Sequence, residues 1–240
     1  MEKIKNAIKK YWDWRSPSYG LDKDKSVLVS DRWEAVLKEL IVNGSNRKRA
    51  LDIGTGRGQF AFYLDRLGFD VTGIDISEKM IYHAQKFAKR HFHDIDFHTG
   101  DAEALTFPDH SFDVVVSRNL LWTLPNPEKA IAEWKRVMKP GGTLVISDGL
   151  WNNVTWREAH KIIPRLFKGN VTSFRFFLTY AGFLNLLPFY RGVSFQKASE
   201  LLEAARFRDI KAYDTSCFEV HPYAGDIREK KNFFIAYARN

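Results

Sequence analysis

Sulfur is scarce in this chain: one cysteine, Cys217, and three methionines in 240 residues. A lone thiol excludes an internal disulfide framework and a cysteine-rich metal site. No apolar run approaches the ~20 residues that a membrane helix requires, and no internal repeat or low-complexity tract breaks the chain. The opening Met1-Glu2-Lys3-Ile4-Lys5 lacks the apolar core of a secretory signal, so a cytoplasmic location is expected. Acids are thin locally, since Glu158 is the only one between Asp148 and Glu200. His91, His93 and His98 alternate across the start of a strand with no carboxylate or cysteine completing a set, so no metal site is expected. What is present is a chain long enough to bury one sizeable core, carrying a net charge of +8.

The most informative stretch is Leu51-Asp52-Ile53-Gly54-Thr55-Gly56-Arg57-Gly58-Gln59-Phe60, where an apolar run passes through a glycine-rich loop into an amphipathic segment. Glycines at 54, 56 and 58 let a ligand approach the backbone, and the helix starting near Gly58 aims unpaired N–H groups at the loop. The ligand should carry a carboxylate, phosphate or similar polar group. Asp70-Val71-Thr72-Gly73-Ile74-Asp75 reads as a second strand ending in an acid, where an open α/β sheet offers a carboxylate to ribose hydroxyls. Ile95 to Gly100 is a third strand running into Asp101-Ala102. Phe107-Pro108-Asp109-His110-Ser111 then feeds the β-branched run 112–117, which opens into Arg118-Asn119-Leu120-Leu121-Trp122. Helical periodicity from Pro127 to Lys139 stops at Pro140-Gly141-Gly142, before a fifth strand at 143–147.

With these motifs in order, residues 50–148 resemble the class I S-adenosylmethionine-dependent methyltransferases, particularly the group that includes ubiquinone and menaquinone methyltransferases. The resemblance implies an α/β, Rossmann-like, seven-stranded sheet, mostly parallel with an antiparallel last strand, plus a helical lid. It implies S-adenosyl-L-methionine as cofactor and S-adenosyl-L-homocysteine as product. The loop Asp52, Gly54, Thr55, Gly56 and Gly58 would hold the methionine end. Asp75 with Ile76 would take the ribose, Asp101 and Ala102 the adenine, and Asn119 with Leu120 would lie near the methionine group. Many relatives have a histidine two or three places beyond Asn119; here Trp122 makes an aromatic wall instead. With one cysteine, an arsenite-type activity is disfavoured, because capture of a soft metalloid needs several thiolates.

Two flanks surround the core within a single domain, 1–240. The first, 1–42, is expected to form an N-terminal helical cap, with Ile4, Ala7, Ile8, Tyr11 and Trp12 at helical spacing and a second amphipathic stretch from Val27 to Val42. Tyr11-Trp12-Asp13-Trp14-Arg15-Ser16-Pro17-Ser18-Tyr19 is similar to the aromatic N-terminal element of many such methyltransferases. Tyr11 or Tyr19 beside a sulfonium would gain from an aromatic face. The second flank, 149–192, is an inserted helical lid rich in aromatics and in Arg157, Lys161, Arg165, Lys168, Arg175 and Arg191. His160, Arg175, Tyr180, Tyr190 and Arg191 of this segment, with Trp122 after the fourth strand, are the candidates for contact with an aromatic or apolar, partly anionic acceptor. After it, 193–207 reads as a helix capped by Ser194, followed by strands at 209–213 and 232–238.

Methyl transfer is an in-line displacement that needs a base only when the acceptor is protonated. His160 and Asp148 are the candidates, and no catalytic residue is assigned. Four readings stay open: a small-molecule methyltransferase; one acting on RNA or protein, favoured by the charge although Arg47-Lys48-Arg49 and Lys86 to Arg90 are modest clusters; a non-catalytic cofactor-binding subunit; and an NAD-dependent oxidoreductase. Gly56-x-Gly58-x-x-Ala61 fits the dinucleotide fingerprint of the last, but Asp52 at the strand end would repel a pyrophosphate. The sequence leaves oligomeric state and the methylated atom open.

Overall fold

The computed structural model describes residues 1–19, 27–41, 48–151, 171–218 and 233–240. Strands β1 (Arg49–Ile53), β2 (Asp70–Asp75), β3 (Ile95–Thr99), β4 (Phe112–Arg118) and β5 (Met138–Gly149) run parallel. With β6 (Arg208–Ala212) and β7 (Phe233–Arg239) they form one seven-stranded sheet in the order β3-β2-β1-β4-β5-β7-β6. Strand β7 is antiparallel to both neighbours, as expected of the last strand. From β1 the chain builds outward to β2 and β3 and then returns to lay β4 on the other side of β1. That reversal opens a crevice at the carboxyl ends of β1 and β4.

Alternation along the strands builds a core on each face of the sheet. Leu51, Val115, Leu144, Ile146 and Phe234 join one cluster, while Ala50, Val114, Val116, Val145 and Ile235 join the other. Each fully buried valine, leucine or isoleucine among these contributes about 1.5–3 kcal/mol relative to exposure. The first face is covered by α1 (Glu2–Arg15), α5 (Pro127–Val137), α6 (Val171–Tyr180) and α7 (Phe195–Ala204). The second is covered by α2 (Val27–Ile41), α3 (Gln59–Arg66) and α4 (Glu78–His91).

Local chemistry fixes the ends of these helices. Ser77 caps α4 by accepting from the Met80 amide at 3.1 Å; Glu78 lies in its first turn, and Lys89, Arg90 and His91 in its last. Asn126 caps α5 by accepting from Lys129 N at 2.9 Å, with Pro127 in the first turn. At the other end of α5, the Arg136 guanidinium pairs with Glu133 and Asp109 and donates to the carbonyls of Leu105 and Phe107. The Phe-Pro-Asp turn is thereby tied to the helix that follows β4.

Two expected boundaries move. The helix expected over 193–207 spans only Phe195–Ala204, because Arg206 takes a left-handed φ of 61° and turns Phe207 back to donate to Leu202 O at 2.9 Å. Strand β5 begins at Met138 rather than 143, because Met138 pairs with Phe112 before a register shift places Thr143 beside Val114. No described helix is long and apolar enough to cross a membrane.

Candidate active site

The crevice at the sheet switch point is an open cleft, with about 730 Å³ of empty space that includes part of the solvent at its mouth. Its described lining comes from the glycine loop (Gly54, Gly56), the end of β2 (Ile74, Asp75, Ile76), Met80 of α4, and Gly100 to Glu103 after β3. Arg118 ends β4 and Asn119, Leu120, Thr123, Leu124 and Pro125 follow it, and Lys5, Ile8, Trp12 and Tyr19 close the cleft from the N-terminal segment.

The glycine loop and the second acid bind each other. The Gly56 amide donates to Oδ2 of Asp75 at 2.9 Å and the Ser77 amide to Oδ1 at 2.9 Å. A carboxylate offers about four lone-pair sites, so two remain for ligand hydroxyls. Burial pushes the Asp75 carboxyl up to about 6, against the pull of those two amides. Gly54 has φ +71°, and a Cβ there would stand 2.9 Å from Leu120 Cδ2. At Gly56, with φ +57°, the nearest described atom to such a Cβ is Tyr19 Cε1 at 3.8 Å, an ordinary van der Waals distance.

Asn119 stands after β4 with φ 57°, its amide donating to Ser147 O at 2.8 Å. Its buried Oδ1 has no hydrogen-bond partner among the described residues, although it borders the cleft. A buried acceptor left open beside a glycine cradle is what a ligand ammonium would satisfy. Across the cleft, Lys5 Nζ lies 2.7 Å from Asp101 Oδ2 and 2.6 Å from Glu103 Oε2. Burial works against the ammonium, but hydrogen bonds to both carboxylates leave the Lys5 pKa raised.

The structure separates the expected cofactor residues into those that line the cleft and those that build it. Gly54, Gly56, Asp75, Ile76, Asp101, Ala102, Asn119, Leu120 and Tyr19 line it. Asp52 does not: 2% exposed, it accepts from Thr55 Oγ1 at 2.6 Å and from the Ala61 amide at 3.0 Å, bracing the first turn of α3. Burial pushes its carboxyl up to about 6. Thr55 is spent on that brace, and a Cβ on Gly58 would meet Phe97 at 2.8 Å and Phe62 at 2.9 Å, so both are packing positions. Tyr11 is displaced by Trp12. Helical rotation puts Ile4, Ile8 and Tyr11 toward the core, Tyr11 edge-on to Tyr180 at 5.2 Å, while Lys5, Ile8 and Trp12 face the cleft.

The expected acceptor residues depart further. Trp122, Tyr180 and Tyr190 are buried in the core behind the cleft, the first two rings 5.5 Å apart. Arg175 is exposed with its guanidinium 4.4 Å over the Trp14 ring, and the Arg191 side chain is exposed as well. None of these five belongs to the described lining. Asp148 is likewise off it, fully buried, with Oδ1 accepting from Gly149 N at 2.8 Å and Trp151 Nε1 at 3.1 Å. His160, Arg157, Lys161, Arg165 and Lys168 lie outside the described residues. Lys5, Ile8, Trp12, Glu103 and Arg118 are lining residues that the motif reading passed over. The i, i+3, i+7 spacing of Lys5, Ile8 and Trp12 was their one available signal. Among the described residues no group of three or more His, Cys, Asp or Glu could hold a metal ion; His93 Nδ1 instead meets Asp65 Oδ2 at 2.6 Å.

A switch-point cleft with a glycine cradle, an acid at the end of β2 and a second acid after β3 defines a nucleoside-cofactor enzyme of the methyltransferase type. The chain belongs to the class I S-adenosylmethionine-dependent methyltransferases. A family model described as a methyltransferase domain matches residues 51–146. Over 149 residues the chain is 35% identical to a demethylmenaquinone methyltransferase of Renibacterium salmoninarum, covering 62% of this chain and 61% of that one. It is 26% identical over 228 residues to a ubiquinone biosynthesis O-methyltransferase of Coxiella burnetii, covering 94% of this chain and 88% of that one. The crystal structure of a SAM-dependent methyltransferase from Aquifex aeolicus shares the fold at a TM-score of 0.58 and 22% identity, over 86% of this chain and 88% of that one.

Proposed function

We propose that this protein transfers a methyl group from S-adenosylmethionine to a small molecule built on an aromatic or quinone-like ring. The observation that carries the reading is a single cleft in which Gly54, Gly56, Asp75, Asp101 and Asn119 meet the apolar surfaces of Ile8, Trp12, Leu120 and Leu124. The two relatives above are named for work on demethylmenaquinone and in ubiquinone biosynthesis, and a ring acceptor agrees with both.

The bound cofactor supplies a methyl group on a sulfonium, and the chain's own residues supply position and dryness. Asp75 would take the ribose hydroxyls, Asp101 would accept from the adenine, and Asn119 Oδ1 would accept from the methionine ammonium. Trp12 and Tyr19, edge-on at 5.4 Å, present aromatic surface to the cation and exclude water. Arg57 fixes that closure by donating to Tyr19 O at 2.7 Å. The anionic part of the acceptor expectation drew on six basic residues of the 149–192 segment; Arg175 and Arg191 stand exposed off the described lining, and Arg157, Lys161, Arg165 and Lys168 lie outside the described residues.

The test is calorimetric binding of S-adenosylmethionine, S-adenosylhomocysteine and NAD(H) to wild type and Asp75→Ala, followed by turnover of methyl-labelled cofactor against hydroxylated rings, RNA and protein. Micromolar binding of the sulfonium pair, lost in Asp75→Ala, with label in the ring fraction, is expected. Label confined to RNA or protein, or binding of NAD(H) alone, overturns the proposal.

A further inference from the structure

Helix α1 grips the cofactor edge of the sheet with three side chains spaced four residues apart. Lys5 bridges Asp101 and Glu103. One turn on, Lys9 Nζ meets Glu78 Oε1 at 2.6 Å. After another turn, Asp13 Oδ1 accepts from Ser77 Oγ at 2.7 Å and from the Lys79 amide at 3.2 Å. The first contact differs in kind from the other two. The Lys9 and Glu78 side chains are 30% and 68% exposed, whereas Lys5 is 20% exposed and Glu103 only 2%.

The Lys5 bridge holds two carboxylates that would otherwise repel. Glu103 is fixed on its other side by the Asn126 amide, which donates to Oε1 at 2.7 Å. The Glu103 amide in turn donates to Asp101 Oδ1 at 2.9 Å. Each oxygen of Asp101 therefore has one set partner, Glu103 N on Oδ1 and Lys5 Nζ on Oδ2, and its plane is determined. Without the ammonium, a nearly buried carboxylate keeps only the Asn126 amide and no counter-charge, two residues from a second carboxylate that keeps only the Glu103 amide on Oδ1 and can turn about that one bond.

We infer that Lys5 is a positioning residue of the cofactor site, orienting the Asp101 carboxylate so that it accepts from the exocyclic amine of the adenine. This rests on the assignment of Asp101 to the adenine made above. The consequence is base selectivity. An amine donates to the preset oxygen, whereas the carbonyl of a hypoxanthine analogue presents acceptor to acceptor. A carboxylate that can rotate loses both the preorganisation and part of that discrimination.

The experiment measures dissociation constants of S-adenosylhomocysteine and S-inosylhomocysteine for wild type, Lys5→Met, Lys5→Arg, Lys9→Met and Asp101→Asn. Lys5→Met is expected to weaken S-adenosylhomocysteine roughly 10–100-fold and to narrow the adenine preference. Lys5→Arg, whose planar fork can span two carboxylates, should recover binding to within about fivefold, and Lys9→Met should change it less than about threefold. If Lys5→Met does not fold, Lys5→Gln carries the same comparison. An unchanged adenine preference in the Lys5 variant, with Asp101→Asn losing it, overturns the role of Lys5 alone. Silence of Asp101→Asn overturns the adenine assignment and the role of Lys5 with it. Equal losses in Lys5→Met and Lys9→Met at unchanged preference reduce Lys5 to helix docking and also overturn the inference.

Discussion

The indole Nε1 of Trp134 donates to the carbonyl oxygen of Ala102 at 3.0 Å, joining the centre of α5 to the loop that follows β3 at the cleft. Trp134 is fully buried, and Ala102 itself lines the cleft. A helix that contributes no residue to the described lining thereby sets the height of the loop that does.

Trp134→Phe removes that donor and leaves the Ala102 carbonyl facing apolar surroundings. An unsatisfied buried acceptor and the lost ring volume together cost about 2–4 kcal/mol. Thermal unfolding should register this at about 2–4 °C per kcal/mol for a chain of this size. Binding of S-adenosylhomocysteine should weaken as well. A destabilised variant with unchanged affinity would show that the Ala102 loop keeps its place without the tryptophan.

Gly54 and Gly56 separate two effects that a glycine loop usually mixes. Gly54→Ala adds a methyl 2.9 Å from Leu120 at φ +71°, so strain and contact act together, and a loss of about 2–3 kcal/mol in stability is expected. Leu120→Ala on top of it should return part of that, since the clash is with a side-chain end. Gly56→Ala, with no described atom closer than 3.8 Å, should cost about 1 kcal/mol in stability but place a methyl on the cleft side of the loop. Differential melting curves beside calorimetry check the pair. Equal affinity losses with equal stability losses would remove the distinction.

The order of strands and helices, the reversal at β1 and β4, and the lining by Gly54, Gly56, Asp75, Asp101 and Asn119 were legible because each depends on residues close in sequence. A strand that ends in an acid points that acid out of the sheet edge wherever the chain goes next. Choosing Trp12 over Tyr11 was not legible, since both sit on one amphipathic helix and a rotation of about 100° decides which ring sees the cleft. The Lys5 to Asp101 bridge spans 96 positions and leaves no local trace. Asp52 misled for a physical reason: an acid at a strand end before a helix can face the ligand or the helix amides, and the free Ala61 N–H claimed it.

Arg136 concentrates the Phe107 to Asp109 turn in one guanidinium, with two carboxylates and two carbonyls as partners. Arg136→Lys keeps the charge but cannot reach all four acceptors, so most of the loss seen in Arg136→Met should persist, on the order of 2 kcal/mol. Urea unfolding of the two variants tests this. A lysine variant as stable as wild type would mean that charge alone holds the turn.

Asp148 gives the chain a pH-dependent liability. Burial pushes its carboxyl from an ordinary 3.8 to about 7, against the hydrogen bonds that Gly149 N and Trp151 Nε1 donate to Oδ1. Because the folded value lies above the unfolded one, the native state holds a proton through that window that the unfolded chain has released. Stability is therefore highest below the unfolded value and falls as pH rises toward the folded one. Asp148→Asn removes the titration, and Asn Oδ1 can still accept from Gly149 and Trp151. Its stability advantage over wild type should be near zero at pH 4 and grow to on the order of 4 kcal/mol by pH 8. Urea midpoints at the two pH values decide it. A constant difference would place the Asp148 titration outside this window, and an advantage that shrinks with pH would mean that the ionised carboxylate is the form the fold prefers.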